Sequence, residues 1–203
     1  MYSKYIKRLL DIIFSLGGIV VLSLPMLLIA LAIRLDSPGP VLFKQKRVGK
    51  NKEHFNIFKF RTMRTDTPHD APTHQLSDPD KWITRTGKLL RKTSLDELPQ
   101  LFNILIGEMS IIGPRPALWN QFDLIEERDK YGANNIRPGL TGWAQISGRD
   151  ELEIDVKAAF DGEYVERISL AFDIKCFLGT IICVLNGKGY VEGASKEKQN
   201  TQK

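Results

Sequence analysis

The chain has 203 residues, with 29 Lys and Arg against 24 Asp and Glu and a formal net charge of +5. Charged residues make up 26% and aromatics 9%, which excludes wholesale disorder, and the length suits one ordinary domain with its own core. Two cysteines, Cys176 and Cys183, exclude a disulfide scaffold. Seven apart on a helix, they would stand about 10 Å from each other, too far to bridge, so they read as buried thiols of a reducing compartment. No Cys/His spacing makes a zinc site.

The charge is unevenly placed. Residues 1–33 carry Lys4, Lys7 and Arg8 against Asp11, a net +2. Residues 34–64 carry nine basic groups against Asp36 and Glu53, a net +7, and the remainder carries −4. The excess of positive charge therefore lies beside the N-terminal segment.

From Ile12 to Ile33 there are 22 residues without a charge. As a straight helix they would measure about 33 Å, enough to cross a bilayer core. Three readings meet on this stretch. A cleaved signal peptide suits the basic start and Ala30-Leu31-Ala32, but its apolar region is shorter as a rule. A simple transmembrane anchor conflicts with basic residues at both ends, which draw both to the cytoplasm. It also conflicts with Pro25 near the middle, which removes a helix hydrogen bond and displaces a carbonyl that Ser23 is placed to satisfy. Those features favour a third reading, a re-entrant helix–break–helix that bends near Ser23 and Pro25 and returns to the leaflet it entered.

Ser37-Pro38-Gly39-Pro40 ends that segment. Two β-like runs, 41–48 and 54–63, follow around the turn Gly49-Lys50-Asn51-Lys52, and their basic side chains suit anionic headgroups. Phe55, Phe58 and Phe60 among those bases lack an RNA-binding consensus, so no nucleic-acid partner is expected. Residues 65–80 form a polar, proline-rich loop, in which His69, Asp70 and His74 read as surface groups rather than metal ligands. No phosphate-binding P-loop is present. Helices are expected over 153–168 and 170–185. The second has an uncharged run of only ten residues, too short to span, and reads as a core helix in preference to an interfacial one. Asn186-Gly187 would cap it, and residues 191–203 form a solvated tail.

The densest chemical signal is Arg91-Lys92-Thr93-Ser94-Leu95-Asp96-Glu97-Leu98-Pro99-Gln100. Leu98, Leu101, Phe102 and Leu105 repeat at helical spacing, and Ser94 with Glu97 fits a capping box. Capping explains Glu97 well and Asp96 poorly. Asp96, Gln100 and Asn103 form a polar stripe opposite the leucines, and Pro99 lies deeper than the favoured first helical position. A second signal is a set of arginines beside prolines and glycines: Gly113-Pro114-Arg115-Pro116, Arg137-Pro138-Gly139 and Gly148-Arg149. Rigidly held guanidinium groups suit bidentate phosphate binding.

These motifs, with Lys7-Arg8 and Asp11 and with Phe58-Lys59-Phe60-Arg61-Thr62-Met63, closely resemble the monotopic phosphoglycosyl transferases over roughly residues 1–190. The resemblance implies an α+β, mostly helical fold: a re-entrant membrane hairpin (1–36), a cytosolic catalytic domain (37–190) with a short β-hairpin and interfacial helices, and a tail (191–203). It implies an enzyme of the inner leaflet of the bacterial cytoplasmic membrane, its catalytic domain facing the cytoplasm. That enzyme passes a phospho-sugar from a UDP-sugar to undecaprenyl phosphate and releases UMP, the first membrane step of a capsule or exopolysaccharide. Asp96 is then the expected nucleophile, Glu97 its partner, and both the expected ligands of Mg²⁺. Arg91, Arg115, Arg137, Lys59, Arg61, Gln145 and Arg149 are the expected substrate contacts, with Trp143 as a stack for uracil. A homodimer is compatible with the family. Other classes remain open at this point: a glycosyltransferase moving only the sugar, and a non-enzymatic basic membrane scaffold. One departure is that Leu24 separates Ser23 from Pro25, where many relatives have an adjacent Ser-Pro.

Overall fold

The computed structural model describes residues 1–67, 81–148 and 152–185. A π-helical turn over Tyr2–Ile6 leads into α1 (Lys7–Asp36), a single helix of 30 residues with Pro25 inside it. The expected helix–break–helix is thus one assigned helix. The Ser23 hydroxyl donates to the Val20 carbonyl at 2.8 Å, not to that of Val21, the carbonyl that the proline leaves without its donor. Among its apolar residues Val20, Val21, Leu24, Leu27, Leu28 and Leu31 are all exposed.

Both ends of α1 are docked on the same domain. Near its start, the Asp11 carboxylate accepts from the Ser110 hydroxyl at 3.0 Å and the Ile111 N–H at 2.9 Å. Near its end, Ile33 is buried with Phe60 and Leu90. The Asp36 carboxylate there accepts from the Thr86 N–H. Asp11 is the one acid of the first 33 residues, and its burial with two donors explains a charge beside the apolar run.

The expected hairpin is present: β1 (Leu42–Val48) pairs antiparallel with β2 (His54–Phe60), joined through a 3₁₀ turn at Lys50–Lys52. Lys44 and Lys46 alternate outward along β1, as period-two geometry requires. Next come α2 (Arg85–Thr93), a 3₁₀ turn at Leu95–Glu97 and α3 (Gln100–Ile106). A short parallel pair, β3 (Ser110–Ile112) and β4 (Gly139–Thr141), brackets α4 (Phe122–Asp129). Then α5 (Trp143–Ser147), α6 (Ile154–Arg167) and α7 (Leu170–Leu185) complete the order.

The β3/β4 crossing explains the glycines of the two arginine motifs. A Cβ on Gly139 would lie 2.1 Å from the Gly113 nitrogen, and one on Gly142 would lie 2.1 Å from the Gly113 oxygen. The backbones touch there, and only glycine admits that approach.

Apolar residues are distributed over several small cores. Phe55, Ile57, Ile104 and Met109 form one; Ile112, Tyr164, Phe172 and Cys176 form another. α7 departs from the core-helix expectation. It buries Phe172, Asp173 and Cys176 on one side and exposes Ile174, Phe177, Leu178, Ile181 and Ile182 on the other, so only one face belongs to the core. Both cysteines are free, and burial followed by the charge of Asp173 pushes the Cys176 thiol up to about 11, the state of an inert packed thiol.

Asp173 also ties the N-terminus to this helix. Its carboxylate accepts from the Tyr2 hydroxyl at 2.5 Å, the Lys7 ammonium at 2.7 Å and the Tyr164 hydroxyl at 2.7 Å. Nothing in residue spacing pairs positions 2, 7, 164 and 173, so this cluster was not legible before the fold.

Candidate active site

α2 ends at Ser94, whose backbone is left-handed (φ 57°, ψ 17°), a conformation costing a non-glycine residue about 1–3 kcal/mol. That reversal turns the next three residues into the 3₁₀ turn and presents Asp96 and Glu97 inward. It also dissolves the expected capping box, since the Ser94 side chain caps nothing. Instead Thr84 caps α2, accepting from the Gly87 N–H at 3.0 Å. Pro99 is the N-cap residue of α3, so the proline sits at the helix start after all.

Glu97 lies between two cations. One of its oxygens accepts from the Lys59 ammonium at 2.7 Å and from the Arg115 guanidinium at 3.0 Å. Burial pushes its carboxyl up, but Lys59 and then Arg115 outweigh that and hold it well below the ordinary glutamate range. Asp96 is set differently. It is only 9% exposed, and its carboxylate accepts no hydrogen bond among the described residues. Burial pushes its carboxyl upward, Lys59 opposes that, and the neighbouring Glu97 adds to it. Arg91, from the last turn of α2, also adds positive charge here, and its guanidinium donates to Thr62 Oγ1 at 3.1 Å.

The sequence-predicted residues divide clearly. Lys59 on β2, Arg91 on α2 and Arg115 beyond β3 converge on the two carboxylates. Arg61 does not. It is buried, and its terminal nitrogens donate to the Pro38 and Ser37 carbonyls at 2.7 and 2.8 Å, fixing the chain where α1 leaves for β1. Arg137 is at the far end of α3, its Nε donating to the Gly107 carbonyl at 2.7 Å. Gln145 lies on α5 with both amide atoms buried and unbonded, so it makes no hydrogen bond to the dyad. Trp143 is committed to packing: its ring lies against Phe172 and Phe160, Lys175 covers it, and its Nε1 donates to Glu163 at 2.6 Å. It is not free to stack on a base. Arg149, His69, Asp70, His74, the Asn186-Gly187 cap and the tail lie outside the described residues.

The polar stripe turns out to face inward. Gln100 and Asn103 are 1% and 0% exposed, while Phe102 and Ile106 on the opposite face are 42% and 62% exposed. Asn103 is the residue whose role spacing did not reveal. It accepts from the Phe58 N–H at 2.9 Å and donates to the Asn56 carbonyl at 2.9 Å and the Glu108 carboxylate at 2.6 Å. It thereby holds β2, and with it Lys59, against α3. The signal available was its place three residues beyond Gln100.

Comparison with known proteins now adds to this geometry. Residues 2–187 match the family model described as bacterial sugar transferase. The chain belongs to the bacterial sugar transferase family. It is 43% identical over 196 residues to an exopolysaccharide production protein of Rhizobium leguminosarum bv. phaseoli, covering 91% of this chain and 98% of that one. It is 44% identical over 186 residues to an undecaprenyl-phosphate glucose phosphotransferase of Komagataeibacter xylinus, covering 86% of this chain and 35% of that one. It is 42% identical over 193 residues to a UDP-N-acetylgalactosamine-undecaprenyl-phosphate N-acetylgalactosaminephosphotransferase of Aeromonas hydrophila, covering 91% of this chain and 45% of that one. The family match covers α1 through α7, so the Asp96–Glu97 turn belongs to a sugar transferase domain.

Proposed function

We propose that this protein transfers a sugar-1-phosphate from a UDP-sugar to undecaprenyl phosphate and releases UMP, through a phospho-sugar held on Asp96. The observation that carries this reading is the contrast within the dyad: Glu97 is bound by Lys59 and Arg115, while Asp96 accepts no hydrogen bond among the described residues. A carboxylate without donors among the described residues keeps its lone pairs available for attack, and the acyl phosphate it forms moves the negative charge from the carboxylate onto the phosphoryl oxygens, beside Lys59, Arg91 and Arg115.

In the first half-reaction an Asp96 oxygen attacks the sugar-bearing phosphorus of the donor. The new O–P bond forms as the bond from that phosphorus to the bridging oxygen breaks, and the electron pair leaves with UMP. In the second half, an oxygen of undecaprenyl phosphate attacks the same phosphorus. The acyl-phosphate bond breaks, the diphosphate-linked sugar departs, and the Asp96 carboxylate is restored. Lys59, Arg91 and Arg115 bring fixed positive charge to the place where phosphoryl charge builds, which is how most of a phosphoryl-transfer barrier is lowered.

Mg²⁺ fits this donor set. Asp96 and Glu97 are two adjacent carboxylates on one turn, and Mg²⁺ ordinarily takes one or two carboxylates with substrate phosphates and water. Asp96 and Glu97 would hold it, and when bound it supplies further neutralisation of the donor's diphosphate.

The lipid acceptor stays in the bilayer, so the reaction belongs at the headgroup plane. The apolar middle of α1, with both ends on one domain, suits a helix that enters the inner leaflet and leaves on the same, cytoplasmic side. Cysteines introduced by Ser3→Cys and Ser37→Cys should then label from one side of the membrane; labelling from opposite sides would exclude it.

The nucleotide product tests the reaction. The purified chain given a UDP-sugar and undecaprenyl phosphate should release UMP. Release of UDP would indicate transfer of the sugar alone, and no nucleotide release would leave a membrane scaffold.

A further inference from the structure

At the base of α1 a second cluster of charge is not used by the dyad. Lys7, Arg8, Lys50 and Arg137 line a cavity of about 80 Å³, together with Asp11 and Ser110. Their partners show how much of that charge is balanced. Lys7 is paired with Asp173 at 2.7 Å. Arg8 gives its two terminal nitrogens to neutral carbonyls, those of Ile104 at 2.6 Å and Leu105 at 2.8 Å. Arg137 gives only Nε, to the Gly107 carbonyl. Asp11 is the sole carboxylate facing them among the described lining residues, and it already accepts from Ser110 and Ile111.

Three positive charges, Arg8, Arg137 and Lys50, thus face one negative charge. Arg8 and Arg137 are close enough to oppose each other. The terminal nitrogens of Arg137 and the ammonium of Lys50 have no partner among the described residues. Carbonyl dipoles at the end of α3 orient the two guanidiniums but do not neutralise them. Clustered cations of this kind are costly unless an anion joins them. A guanidinium and an ammonium that line one cavity, with nitrogens left without partners among the described residues, suit a tetrahedral oxyanion.

We propose that this cavity is a phosphate-binding site, separate from the Asp96 centre and taking the phosphate of a monoester or phosphodiester. About 10 Å of helix separates the two ends of α3, one beside the dyad and one beside this cavity. The cavity wall is the first turn of α1, next to exposed Leu9 and Ile13, so two sources share the required chemistry: a phospholipid headgroup beside the helix, and a soluble phosphate compound.

The full chain in dodecyl maltoside, a detergent without phosphate, allows both sources to be tested. Its thermal midpoint is followed while inorganic phosphate or short-chain phosphatidylglycerol is added, for wild type, Lys50→Ala, Arg137→Gln and Arg115→Ala. Lys50 is exposed and its ammonium makes no bond among the described residues, so its replacement leaves the fold intact even if Arg137→Gln does not. At least one ligand should raise the wild-type midpoint, with affinity reduced about tenfold or more in Lys50→Ala and retained in Arg115→Ala. A response to inorganic phosphate upholds the site with a soluble source. A response to the lipid alone upholds it with a headgroup. No response to either ligand overturns the proposal, as does binding that survives Lys50→Ala or disappears with Arg115→Ala. None of these readouts depends on turnover, so the transfer reaction stands or falls separately.

Discussion

The two ends of α3 carry opposite electrostatic problems. At its start, Glu97 is compensated by Lys59 and Arg115, and the adjacent Asp96 is a buried carboxylate with no donor among the described residues. At its end, Arg8 and Arg137 hold backbone carbonyls, and the charge left over is positive. A helix of seven residues supplies little dipole of its own, so these charges are set by neighbouring elements: β2 and the turn after β3 on one side, α1 and the approach to β4 on the other. Arginines beside prolines and glycines can therefore have unlike roles. Arg115 meets a carboxylate, whereas Arg137 meets a helix end.

Removing the reactive group should produce the largest effect. Asp96→Asn should lower turnover about 1,000-fold or more, as loss of a covalent nucleophile does, while the thermal midpoint stays level or rises because a buried charge is gone. Steady-state kinetics alongside thermal unfolding would reveal a variant that is inactive merely because it is unfolded. Disturbing the compensated member should cost less. Lys59→Met leaves Glu97 with Arg115 alone, and turnover should fall about 100-fold. If Lys59→Met matches wild type, the positive charge on this side contributes nothing to the transition state.

The smallest expected change in activity per unit of stability lost comes from the support between the two ends. Asn103→Ala would strand the Phe58 N–H, the Asn56 carbonyl and the Glu108 carboxylate, a loss of about 3 kcal/mol. The thermal midpoint of a chain this size should then drop by about 6–12 °C. At temperatures where the variant stays folded, its UMP release should remain within about tenfold of wild type.

Much of this organisation was legible from residues. The β1/β2 hairpin and the helices over 154–167 and 170–185 follow from spacing and turn chemistry, whereas the grouping of Lys59, Arg91 and Arg115 with the dyad was implied by the family resemblance, which implied Arg61 and Arg137 as well. What was not legible has a common physical cause. Amphipathic patterns reveal that a helix has two faces, not which face meets protein. α3 buries Gln100 and Asn103 and exposes Phe102 and Ile106, an arrangement suited to a helix with apolar surroundings outside it. α7 was misread as core for the same reason: its outward face is as apolar as its inward one. Long-range partners were hidden as well, since nothing local joins Asp11 to Ser110 or Tyr2 to Asp173. The local capping reading of Ser94 failed because a left-handed residue there serves the turn that presents the two carboxylates.

The central claim is that Asp96, rather than its compensated neighbour, bonds to phosphorus. Intact-protein mass spectrometry of the chain with a UDP-sugar and no lipid acceptor tests it directly. A mass increase equal to one phospho-sugar is expected, located on Asp96 by fragmentation and discharged when undecaprenyl phosphate is added. An adduct on Glu97, or UMP release with full turnover by Asp96→Asn, would contradict it.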